Sequence, residues 1–91
     1  AERAQELGLI NFVVPKDELK SETEKLATRL SKGPTFAFGR AKALLGQSLE
    51  RGIGDQLDAE AQNIMECSRT ADFAEGIDAF LNKRKPTFVG R

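Results

Sequence analysis

The 91-residue sequence has no histidine, tryptophan or tyrosine, a single cysteine and no net charge. Each shortage removes a class of function. Without histidine, Ser–His or Cys–His nucleophilic catalysis cannot be assembled from this chain alone. One cysteine, Cys67, excludes an intrachain disulfide, and with no histidine beside it a Cys/His zinc site is excluded too. Fourteen basic residues balance fourteen acidic ones, so the positive excess that holds a protein on nucleic acid is missing. No apolar run approaches the roughly 20 residues needed to span a membrane. No secretory signal is visible, and the expected location is cytoplasmic. The sequence opens at Ala1 without Met, in what reads as the middle of a helix, as a segment of something longer would.

What remains is an ordinary globular balance. Forty per cent of residues are apolar and 31% are charged, which separates the chain from disordered segments. At this length one small domain is possible, and it buries only about 60% of its unfolded surface.

The chain divides at Pro15. Ala1–Gly8 reads as the end of a helix, with Gly8 suited to the left-handed position that follows one. Leu9–Val14, LINFVV, is a short run of β-branched and aromatic residues closed by Pro15, and reads as a strand. It has no partner strand in this sequence, so its ladder would have to be completed by other protein.

Four helical patterns follow. Asp17–Lys32 places Leu19, Thr23, Leu26, Ala27 and Leu30 on one face and ends at Gly33–Pro34. Thr35 to about Arg51 gathers Phe38, Ala41, Leu45 and Leu49, with Thr35 a candidate cap and Gly39 and Gly46 on one side. Those glycines mark either close approach of a helix or ligand, or a locally weak helix. Asp55–Ser68 lines up Leu57, Ala61, Ile64 and Met65. Finally, in Thr70–Arg91, Phe73, Ile77, Phe80 and Leu81 share a face. Asp72 stands as a candidate cap, with Glu75 three residues on as in a capping box. Lys83, Arg84 and Lys85 crowd the last turn, and Pro86 stops the helix. The expected fold is therefore mostly α, a module of about four helices with one short N-terminal strand.

The last of these stretches, D-F-A-E-G-I-D-A-F-L-N-K-R-K-P-T-F-V-G, resembles the C-terminal signature of the enoyl-CoA hydratase/isomerase (crotonase) family. The resemblance extends through A-x-E-L-G-L-I-N-x-V-V-P at Ala4–Pro15, K-G-P at Lys32–Pro34, Lys42-x-Leu44-Leu45 and Leu57-x-x-Glu60. It implies a division of labour. In that family an N-terminal spiral core binds a thioester oxygen with two backbone N–H groups, and acidic side chains move the protons. Those features lie upstream of the residues seen here, so no catalytic residue carries over, and this segment alone is expected to be inactive.

The resemblance also implies that residues 1–15 are the junction with the core, and that residues 16–91 form a C-terminal helical domain. That domain packs subunits into trimers or hexamers and caps part of the acyl pocket. The implied partners are the chain's own core domain, neighbouring subunits and a CoA thioester, with acyl-CoA as substrate, no separate cofactor, no nucleic acid and no membrane. Lys83 matches a lysine that contacts CoA phosphate in several relatives. Ile64 aligns with an aromatic CoA contact, which Ile could replace only by apolar contact. The competing reading is a free-standing helical protein-interaction module. A third, a basic tail built on Lys83–Lys85, rests on three charges in a neutral chain.

Overall fold

The computed structural model describes all residues 1–91. It holds five helices: α1 (Glu2–Glu6), α2 (Leu19–Ser31), α3 (Thr35–Gln47), α4 (Ile53–Cys67) and α5 (Ala71–Leu81). The mostly helical expectation holds, and the strand does not. Leu9–Val14 forms no β-ladder, and its local support includes a hydrogen bond from Gln5 Nε2 to the Asn11 carbonyl at 3.1 Å. Strand propensity describes how a side chain fits a pleated surface, and no second strand is present here to supply that surface.

Local chemistry sets the helix ends. Gly8, at φ +72°, closes α1 with a reciprocal pair: its N–H donates to the Gln5 carbonyl at 2.9 Å, and that of Leu9 donates to Ala4 at 2.9 Å. This is the Schellman arrangement, which favours glycine at its left-handed position. Asp17 and Glu18 precede α2 rather than filling its first turn. Thr35 is the first residue of α3, after Pro34, and makes no cap bond. That helix ends at Gln47, short of Arg51, and α4 begins at Ile53 with Gly54 inside it.

The start of α5 is also corrected. Thr70 is its cap, with Oγ1 accepting from the Phe73 N–H at 3.1 Å and donating to the Cys67 carbonyl at 2.7 Å. Asp72 is the second residue of the helix and Glu75 makes no capping box, because both carboxylates bind elsewhere. Thr70→Ala should destabilise α5 by about 1 kcal/mol, read as faster amide exchange at Phe73 with α2 unaffected.

The helices scarcely pack on one another. Only α3 and α4 share substantial contact, reinforced by an ion pair from Arg40 to Glu66. Arg40 also lies 5.0 Å from the centre of the Phe36 ring, within cation–π range. The radius of gyration is 16.9 Å, where a compact chain of this length would have about 12 Å. The accessible surface is 7652 Å², against about 5,200 Å² for a folded monomer of this mass. Two residues, Ala79 and Asp72, are buried, while eighteen large apolar side chains are exposed. The outline is a plate, 42 × 38 × 19 Å.

A side chain added at Gly39 or Gly46 would meet nothing within 4 Å. Nothing in this chain approaches that side of α3, so neither glycine serves internal packing.

Candidate functional site: an apolar cleft and a clasped tail

The richest constellation lies between α5 and the start of α3. Phe73, Ile77, Phe80 and Leu81, the apolar face of α5, line a cleft of about 370 Å³. Its other wall includes Phe36 and Ala37 of α3, with Cys67 from the end of α4 and Phe88 from the tail. The α5 stripe was readable from its spacing. Phe36, Ala37, Cys67 and Phe88 were not, because folding alone brings them to α5. A second groove, about 610 Å³, runs between Asn11–Val14 and α2, bordered by Glu22, Lys25 and Arg29.

The tail beyond α5 is anchored at both ends of a loop. After Leu81 the chain turns through a second Schellman arrangement: the Lys83 N–H donates to Phe80 at 3.2 Å and that of Arg84 donates to Ala79 at 3.0 Å. Lys83 holds the left-handed position at φ 51°, where glycine is usual. Arg84 then reaches back. Its guanidinium forks onto Glu75, with Nη1 to Oε1 at 2.6 Å and Nη2 to Oε2 at 2.7 Å, and Nη2 meets Asp78 at 2.5 Å. Glu75 also accepts the Thr87 N–H at 2.7 Å. These contacts, the Arg84 hydrogen bonds first, hold the Glu75 carboxyl down to about 2.

Asp72 holds the far end. Its two oxygens accept the Val89 and Gly90 N–H groups at 2.7 and 2.8 Å, while its own N–H donates to the Arg91 carbonyl at 3.1 Å. Gly90 sits at φ +82°, and a Cβ there would stand 2.5 Å from Thr35 Oγ1. Only glycine therefore suits this crossing. Phe88 passes over Gly76, where a Cβ would lie 3.8 Å from the ring.

The two binding residues implied by the resemblance stand apart from this clasp. Ile64 is 65% exposed on α4, and Lys83 is exposed beyond α5. Neither lines the cleft or the groove. Of the three basic residues Lys83–Lys85, Arg84 is engaged by Glu75 and Asp78, which weakens a basic-tail reading.

Across residues 1–91 the sequence matches enoyl-CoA hydratase/isomerase, and the chain belongs to that family. It is 37% identical over its whole length to 1,2-epoxyphenylacetyl-CoA isomerase of Escherichia coli, of which it covers 35%. It is 34% identical to crotonyl-CoA hydratase of Syntrophomonas wolfei, again matching all of this chain and 35% of that one. Its fold superimposes on an enoyl-CoA hydratase subunit I of Geobacillus kaustophilus with a TM-score of 0.94 and 34% identity, covering all of this chain and 35% of the solved one. The chain thus spans about a third of the length of the relatives it matches. An isomerase and a hydratase match it with comparable identity, so these 91 residues do not single out a reaction.

No helix here is long and apolar enough to cross a membrane.

Proposed function

We propose that this chain is the C-terminal helical segment of an enzyme that acts on acyl-CoA thioesters. In this reading it caps the acyl pocket and carries contacts between subunits, while catalysis belongs to a core domain. One observation carries the reading: two buried residues against eighteen large exposed apolar ones, in a chain spanning a third of its relatives. Surface in excess of a compact monomer by about 2,400 Å² approaches what one partner contributes to a large obligate interface. Residues 1–15 serve as the junction, and residues 16–91 as the docking and capping domain. Acyl-CoA is the substrate of the assembled enzyme, and this segment supplies no catalytic group.

Within that frame Lys83 meets a CoA phosphate as a point charge, and Ile64 gives apolar contact. The test is thioester turnover and sedimentation of the polypeptide bearing this segment behind a catalytic core, with and without residues 16–91. Deletion should abolish both assembly and turnover. Full turnover by the shortened polypeptide as a stable monomer would defeat the proposal and favour an independent interaction module.

The backbone at Lys83 separates charge from geometry. Lys83→Gly relieves a left-handed conformation that costs a residue with a Cβ about 1 kcal/mol, whereas Lys83→Ala keeps it. Glycine should therefore raise the melting temperature relative to alanine. Both variants should weaken CoA binding, and to the same extent, in a titration of the assembled protein.

A further inference from the structure

The tail is more than an end. Residues Thr87–Arg91 cross from the middle of α5 to its first turn and touch the start of α3 on the way. Phe88, carried between the two anchor points, supplies part of the cleft wall. The far anchor is a single carboxylate, 4% exposed, whose two oxygens each take one tail N–H. Charge-assisted bonds of this kind are strong, and loss of the acceptor would leave two part-buried donors unpaired. The near anchor, Glu75, is independent of it, so the far end can detach while the loop stays tethered.

We propose that residues Thr87–Arg91 are a strap latched by Asp72, and that the strap, by seating Phe88, closes one side of the apolar cleft between α3 and α5. Release of the latch swings Phe88 away and opens the cleft, including Cys67, to solvent and to small molecules. Asp72 is a positioning residue: it acts on the cleft through Phe88. This inference goes beyond the assignment of the chain to a capping role and stands or falls separately from it.

The chain carries its own reporter, because its single thiol lines the cleft. The experiment is the rate of Cys67 alkylation by N-ethylmaleimide, followed together with amide exchange at Val89 and Gly90 and with far-UV circular dichroism. Asp72→Ala should accelerate both alkylation and exchange by about ten-fold or more, since losing such bonds shifts a local opening equilibrium by at least that factor. Helix content should stay unchanged. Should Asp72→Ala itself lose helix content, Gly90→Ala decides, because it strains the strap at φ +82° and against Thr35 while leaving every residue of α5 unchanged. Wild-type alkylation and exchange rates in a helical Asp72→Ala chain, or in Gly90→Ala where that variant decides, would overturn the proposal. So would faster exchange without faster alkylation, which would show a tail that opens without uncovering the cleft.

Discussion

Purified alone, the 91-residue chain is expected to associate rather than sediment as a single species, with an apparent mass that climbs with concentration. The driving term is the apolar area that its own fold leaves wet. Leu45, Leu49, Ile53, Phe80 and Leu81 are each more than two-thirds exposed. Burial returns about 25 cal/mol per Å² of apolar surface, and contiguous patches above a few hundred Å² are rare on monomers. Two measurements check this: sedimentation equilibrium over a hundred-fold concentration range, and binding of an apolar dye. A strict monomer at high concentration with no dye binding would contradict it. Leu49→Lys and Phe80→Lys together should lower the association constant without loss of helix content, because neither side chain is buried here.

Acid should undo the near end of the clasp, and the sign follows from Glu75. Its folded-state pKa, about 2, lies below the ordinary value of 4.5. A depressed carboxylate contributes stability that is fully present above the unfolded value and is lost as pH falls through the folded one. Exchange protection at the Thr87 amide should therefore be flat above about pH 5 and fall progressively between about pH 4.5 and pH 2. Glu75→Gln should remove that dependence and give a low protection at every pH. Arg84→Lys should also weaken it, since an ammonium cannot reproduce the forked contact with both Glu75 oxygens. Solvent access to this pair limits its strength, so the effect belongs to the tail, and global unfolding should shift little. A Thr87 amide insensitive to pH across this range would show that the pair does not hold the tail.

The sequence revealed most where the deciding contacts were local. The stripe Phe73, Ile77, Phe80 and Leu81 follows helical spacing and emerges as one wall of the cleft. Gly8 emerges at the left-handed position its place after a helix implied. Local patterns misled where a residue had two possible partners. A carboxylate two residues inside a helix start resembles a cap, yet Asp72 spends its oxygens on amides 17 and 18 residues away, and the modest Thr70 caps instead. The same distance hides Phe88 in the cleft and Arg84 on Glu75. LINFVV misled for a different cause: its composition answers to a sheet that this chain does not contain. Lys83 at a left-handed backbone position was not readable at all, because lysine carries no sign of that conformation.

The plate-like outline bears on how mutational data should be read. With little helix-on-helix packing and almost nothing enclosed, most apolar positions are held by no neighbour in the chain itself. Scanning variants of the solitary polypeptide by thermal melting would score Leu57, Ile64 or Phe80 as dispensable. Under the docking role proposed above, the assembled protein would score the same positions as costly, and the gap between the two maps would trace the contact surface residue by residue.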